Sequence, residues 1–191
     1  MSRLTKRNDK TISVMIKYLK TPFKNTELSK LKAGDQVLLS GVTYTARDQA
    51  HKKLAELVKN KKKLPLKLKN QAIYYCGPSA TPKGRVIGSC GPTTSSRMDE
   101  FVGLLLGSGL IAMIGKGRRS KKVRDLIKKY KAIYFIAPAG CGALLARGVR
   151  SKKLVCFKEL GPEAIYRLEV EDFPLIVGID TKGKDIYKHL V

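Results

Sequence analysis

The chain has no tryptophan, only 5 Phe and 8 Tyr, 2 His, and 15 acidic residues against 39 basic ones. Its four cysteines form no C-x-x-C pair. Each shortage excludes something. Without C-x-x-C there is no signature of a zinc ribbon or a dithiol redox motif. Without tryptophan, an aromatic strand motif or finger-type Cys/His spacing, the common nucleic-acid modules are missing. The longest uncharged apolar stretch, residues 101–115, is 15 residues long and interrupted by four glycines. A membrane-spanning helix needs about 20 apolar residues. The stretch therefore reads as a buried helix running into a strand, and no membrane role is expected. The basic N-terminus leads into no apolar signal region, so the expected location is cytoplasmic. The 17 glycines follow no period and no heptads appear, which excludes collagen and coiled coil.

What is present suffices for one domain with an extension. The chain has 191 residues, 43% of them hydrophobic, and a soft prior is roughly 150 residues per domain. Residues 1–25 read as a basic N-terminal arm and 26–191 as the domain; the first 30 or so residues look like an arm or an edge hairpin. Apolar periodicity predicts strands at 36–40, 72–76, 86–89, 110–114, 132–137, 154–157, 167–170 and 175–179. It predicts helices at 46–60, 98–106, 121–131 and 142–147, with Ser120 capping the third. Alternating buried strands and amphipathic helices indicate an α/β layered domain.

The net charge is +24. Residues 1–155 hold 34 basic and 8 acidic residues, and the remaining 36 hold 5 and 7. Such a balance makes nucleic acid a partner to consider. Yet the densest run, 116–131, contains an amphipathic helix. Val123, Leu126, Ile127 and Tyr130 share one face and lysines take the other. A solvated face, or one turned to an acidic protein, explains it without nucleic acid.

Three segments combine glycine, hydroxyls and cations just after apolar strands. They are SGVTYTARD at 40–48, GPTTSSRMD at 91–99, and Gly115-Lys116-Gly117. In open α/β folds ligands gather at the carboxyl ends of strands, where backbone N–H groups at helix starts favour anions. Together the segments describe a pocket for a small polyanion, with Arg47, Arg97 and Lys116 as charge partners. Each also has a plain reading. Thr94-Ser95 can cap a helix, Arg47-Asp48 can be a local ion pair, and Lys116 can be one more solvated lysine. Nucleotide loops do not fit: Gly117 follows Lys116 where a Walker A loop needs Ser or Thr. The GxGxxA string at 107–112 precedes a strand instead of following one. Cys76, Cys90 and Cys141 each precede a glycine. They could meet as cluster ligands, but small thiols buried beside turns are the simpler reading.

At these residues the chain resembles a known family. GVTYTARDQAHK at 41–52 is similar to its G-x-x-Y-T-A-R-D-x-A-H-K signature, and GPTTSSRMD at 91–99 to its G-P-T-T-S-x-R-M-D signature. Gly115-Lys116-Gly117, the APAG loop at 137–140 and EVEDFPLIVGIDTKGKDIY at 169–187 continue the likeness, in order, over about residues 25–190. The family is that of class I, iron–sulfur-dependent fumarate hydratases and L-tartrate dehydratases, and the likeness is to their C-terminal domain or β subunit. The resemblance implies a swivelling β/β/α domain, a layered sheet with flanking helices. It implies a [4Fe–4S] cluster held by a partner α subunit and not by this chain, in an α2β2 heterotetramer. It implies a small dicarboxylate substrate. Thr93 would be the base that takes the C3 proton; Arg47, Thr94, Arg97 and Lys116 would bind substrate. Asp48 and Asp99 are competing bases, more naturally partners of the neighbouring arginine. Ser96 stands where many members have Gly or Ala, and the high positive charge is not a family trait. Fumarate is the favoured substrate over tartrate; a basic binding protein on the same scaffold is the reading from a different class.

Overall fold

The central strands are apolar on both sides, and the two sides face different cores. The structure, a computed structural model, describes residues 15–189. Among these, strands and helices alternate as β1 (Lys17–Lys20), α1 (Asn25–Leu28), β2 (Gln36–Thr45), α2 (Asp48–Lys59), β3 (Ala72–Tyr74), α3 (Val102–Gly107), β4 (Ala112–Gly115), α4 (Lys121–Tyr130), β5 (Ile133–Ile136), α5 (Gly142–Arg147), β6 (Val149–Cys156) and β7 (Ile165–Ile179). Short 3-10 turns occupy Ser95–Met98, Lys158–Glu163 and Ile186–His189.

Strands β1 to β5 are mutually parallel in the order β1-β2-β3-β4-β5. Strand β7 runs antiparallel to both β5 and β2, which closes β2, β3, β4, β5 and β7 into a ring. Strand β6 pairs on β7, outside the ring. Ala72, Tyr74, Ile114, Ile133 and Phe135 point inward and meet Leu39, Phe173 and Val177. Their neighbours Ile73, Met113 and Tyr134 point outward, under Ala50 and Leu54 of α2, Val102 and Leu105 of α3, and Val123 and Ile127 of α4. Two-residue periodicity with both faces covered is what parallel strands under helices require.

Strand β2 holds the assembly together by changing partners along its length. Its first half pairs with β1 and its last two residues with β3, while β7 follows its other edge throughout. The change falls at Gly41, where the register against β7 also shifts. Gly41 has φ +105°, and a Cβ there would lie 3.0 Å from the Thr21 carbonyl oxygen. Only glycine fits this bulge.

Helix α4 matches expectation closely. Ser120 Oγ accepts from the Val123 N–H at 3.3 Å, Val123 and Ile127 are buried, and Lys131 ends the helix at φ 53°. Tyr130, on the same stripe, stays exposed. Other expectations are corrected. Residues 86–89 form no strand. Residues 167–170 and 175–179 belong to one strand, β7, bent at Asp172, where φ is 47°. The 98–106 helix is broken into a 3-10 turn and α3. Strand β1 is an edge strand, but it is parallel to β2, so the two do not make a hairpin. Residues 1–14 of the expected arm lie outside the described residues. No helix among the described residues is long and apolar enough to cross a membrane.

The layering sets a stability contrast. Leu39→Ala, inside the ring, is expected to cost about 2–5 kcal/mol. Tyr18→Ala, 73% exposed on β1, is expected to cost less than about 0.5 kcal/mol. Urea unfolding of both variants measures the difference; similar losses would contradict this placement of the core.

Candidate active site

Parallel strands deliver their carboxyl ends and following loops to one end of a sheet, and the three segments singled out above end there: residues 40–45 prove to be the second half of β2, which runs past the expected 36–40, 91–99 follow β3, and Gly115 closes β4. The sheet pattern continues into them. Ala46 N–H donates to the Tyr74 carbonyl at 3.0 Å, Tyr75 N–H to Ile114 at 2.8 Å, and Thr93 N–H to Tyr75 at 2.6 Å. Lys116 N–H then donates to the Thr93 carbonyl at 3.3 Å and Ser95 N–H to the Lys116 carbonyl at 2.9 Å. Thr94 and Lys116 thereby form an isolated parallel bridge. The approach is close because residue 115 is glycine: a Cβ there would overlap Ser95 Oγ and come within 2.8 Å of the Tyr75 ring.

Carboxylates of the same chain hold the cations of the first two loops. Asp48 Oδ1 accepts from Arg97 Nε at 2.8 Å, and Asp48 Oδ2 lies 3.6 Å from Arg47 Nε. Arg47 Nη2 reaches Glu163 Oε1 at 3.1 Å. The other oxygen of Glu163 accepts the Gln49 N–H at 2.9 Å, in the first turn of α2. Glu163 therefore satisfies an orphan donor at a helix start whose own N-cap residue, Arg47, offers no side-chain acceptor. The result is a row of alternating charge: Arg97, Asp48, Arg47, Glu163. Arg97 is gripped by Nε alone, and among the described residues no carboxylate engages its outer nitrogens or Lys116. That leaves a guanidinium fork and an ammonium free to take an anion.

Beneath the loops lies a buried polar layer. The Arg119 side chain is fully buried; its Nε donates to Asp99 Oδ1 at 2.8 Å, and the guanidinium lies 5.4 Å from the Tyr75 ring and 5.1 Å from the Tyr134 ring. Asp99 Oδ2 accepts the Ser120 N–H at 2.9 Å. His51, fully buried on α2, lies 3.0 Å through Nδ1 from the Arg47 carbonyl. A carbonyl can only accept, so Nδ1 carries the proton. Burial pushes the His51 pKa down to about 4, which keeps the ring neutral near pH 7.

All five expected site residues thus lie in loops at one end of the sheet. Arg47 and Arg97 share Asp48, and Thr93 and Thr94 are tied to Lys116. Asp99 departs from expectation: its partner is Arg119, not Arg97. Glu163, His51 and Arg119 were not anticipated. Glu163 contacts a residue 114 positions earlier, and no local pattern announces such a contact. Arg119 looked like part of a solvated basic run. The cysteines offer no cluster ligand set. Cys76 and Cys90 are buried against each other, with the Cys76 thiol pushed up by its hydrogen bond to Cys90 and by burial. Cys141 and Cys156 are only half-buried. Among the described residues no three His, Cys, Asp or Glu are grouped to hold a metal ion.

Comparison with known proteins gives this end of the sheet a context. The family profile described as Fumarase C-terminus matches residues 2–190. Fumarate hydratase 2 of Leishmania major is 42% identical over 163 residues, covering 84% of this chain and 29% of that protein. The aerobic class I fumarate hydratase of Escherichia coli K12 is 41% identical over 166 residues, covering 86% of this chain and 30% of that protein. The chain therefore spans under a third of the fumarate hydratases it matches. The L(+)-tartrate dehydratase subunit beta of Escherichia coli K12 is 37% identical over 177 residues, covering 90% of this chain and 87% of that one.

Burial of a neutral histidine makes stability depend on pH. The unfolded His51 titrates near about 6.5 and the folded one at about 4. Between these values the unfolded chain binds a proton that the folded chain refuses. The contribution is full above about pH 6.5 and is lost as pH falls, by at most about 1.4 kcal/mol per pH unit. Urea unfolding at pH 7.5 and 5.0 should show a steeper loss for the wild type than for His51→Phe, which keeps a ring but cannot titrate. Equal slopes would count against it.

Proposed function

Because the chain belongs to the fumarase C-terminal family, we propose that it is the β subunit of a class I fumarate hydratase, a hydro-lyase that interconverts fumarate and L-malate. The observation that carries this reading is the row Arg97–Asp48–Arg47–Glu163 beside the Thr94–Lys116 bridge. It holds two guanidiniums still while leaving a fork and an ammonium for the two carboxylates of a C4 dianion. Bidentate pairing fixes the substrate's orientation as well as its charge. Thr93, whose backbone is fixed from both sides, takes the proton from C3 of malate and returns it on hydration. A threonine hydroxyl is a poor base at its ordinary pKa. Fixed cations around it favour the deprotonated form and stabilise the charge that grows next to the carboxylate.

The remaining half of the site belongs, on this reading, to a partner α subunit that holds the [4Fe–4S] cluster, in an α2β2 assembly in the cytoplasm. This chain supplies the C3 proton transfer and the carboxylate clamps; departure of the hydroxyl is the partner's part. The domain would be of the swivelling β/β/α type, a reading supported by parallel strands with helices over one face and β7 across the other. Of the 25 N-terminal residues read as an arm, Lys17–Lys20 pair with β2 and Leu19 and Phe23 are buried in the core, so the described part of that segment belongs to the domain. L-tartrate as substrate is the second reading, favoured by the 87% coverage of a tartrate dehydratase β subunit.

Co-expression with the α subunit under anaerobic conditions, followed by assays on L-malate and L(+)-tartrate, tests the function. Turnover is expected from the complex and not from this chain alone. Turnover by this chain alone, or none by the cluster-loaded complex on either substrate, would overturn it. Within that complex, Thr93→Ala should lower kcat by about 10²–10⁴-fold and slow exchange of the C3 proton equally, with assembly intact. An unchanged exchange rate would move the base to Asp48 or to the partner. Arg97→Lys keeps the charge but loses the fork, so KM should rise; wild-type kinetics would remove Arg97 from the site.

A further inference from the structure

Tyr134 sits in the middle of β5, buried on the helix-facing side of the sheet. A phenol has one proton, and here it goes to the Gly117 carbonyl at 2.9 Å. The Ser95 hydroxyl, 3.0 Å from the same oxygen, is then the donor to it. One side chain rising from the core so grips two loops at once. Ser95 follows Thr94, and Gly117 follows Lys116.

The backbone bonds between Ser95, Thr93 and Lys116 fix loop to loop. The pair is anchored to the sheet on one side by Gly115, the last residue of β4, whose carbonyl accepts the Ala137 N–H at 2.9 Å, and on the other by the Thr93 N–H on Tyr75; the Tyr134 hydroxyl adds a side-chain anchor for the residues just beyond, Ser95 and Gly117. The neighbours keep the ring in place. The Arg119 guanidinium, held by Asp99, packs 5.1 Å from its centroid. Ser95 is fully buried, so water does not compete for the bond. Burial also raises the phenol pKa, and the proton that Gly117 needs is retained wherever dicarboxylates are ionised.

We propose that Tyr134 is a positioning residue, with Ser95 as its partner, that sets the spacing between the Thr93–Thr94 side and the Lys116 side of the anion site. The role in turnover rests on the function proposed above; the mechanical role does not. A misplacement of about 1 Å at a reacting group can cost about 100-fold in rate. A hydroxyl that holds both loops therefore has a large lever.

Two measurements test it. In the isolated full chain, Tyr134→Phe should speed amide hydrogen exchange at Ser95 and Lys116 by about tenfold or more, given the loss of two buried hydrogen bonds, while α4 amides exchange as before. In the complex with the α subunit, Tyr134→Phe should lower kcat/KM by about 10–100-fold, moving both kcat and KM, with assembly intact and cluster content close to wild type. Ser95→Ala removes the Ser95–Tyr134 bond and leaves the one to Gly117, so it should show part of the same loss, and it decides the matter if Tyr134→Phe does not fold. The double variant should be no worse than Tyr134→Phe alone, because that change already removes the bond that Ser95→Ala removes. Unchanged exchange at Ser95 and Lys116, or losses that multiply in the double variant, would overturn the proposal. A wild-type complex inactive on both substrates would sink the functional reading, and the exchange result would still decide the mechanical one.

Discussion

The antiparallel pairing of β7 with β2 is the constraint on which the rest depends. Without it, β1 to β5 would form an open parallel sheet with an uncovered face. With it, that face becomes the inside of a ring, filled by Leu39, Tyr74, Phe135 and Phe173. Closure also fixes the tilt of β2 relative to β3 and β4, and so the distances among the three loops that follow them. Glu163 depends on the same pairing. It lies two residues before the start of β7, which runs against the end of β2 near Arg47. The strand that closes the ring therefore also delivers the carboxylate that orients a site arginine.

The site solves an electrostatic problem with its own residues. On the function proposed above, two guanidiniums and an ammonium serve one small anion, and such like charges repel each other when it is absent. Placing Asp48 between the arginines and Glu163 beyond Arg47 turns that repulsion into a chain of attractions. The cost is that part of the cationic charge is already neutralised. What the anion gains in exchange is orientation, since the cations do not have to be immobilised when it binds.

Much of this was legible in the residues, and what was missed has physical reasons. Helix α4 could be read because its stripe of Val123 and Ile127 and its Ser120 cap are local signals. The three loops could be read because glycine, hydroxyl and cation occur together after apolar strands. The single strand β7 was read as two because Asp172 and Pro174 interrupt its alternation, yet pairing with β2 carries the strand through both. Short-range pattern could not distinguish Arg119, a buried cation stacked on two tyrosines, from Arg118 beside it, which is exposed. Glu163 is visible only once the ring has closed. Local periodicity reports which face of an element is covered; it does not report which side chain from a distant element arrives there.

The uneven charge described for this chain acts before any contact is made. Lys121, Lys122, Lys128 and Lys129 stand on the outer face of α4, solvated and, apart from the Lys121–Asp125 pair, paired with no carboxylate among the described residues. At physiological salt their field reaches about 8 Å into the solvent. Within that shell small dianions are enriched over the bulk, and a dianion that strikes the surface elsewhere is retained near it long enough to explore. On the function proposed above, the lysine coat would act as an antenna, widening the target that a diffusing anion has to hit beyond the few side chains that finally hold it.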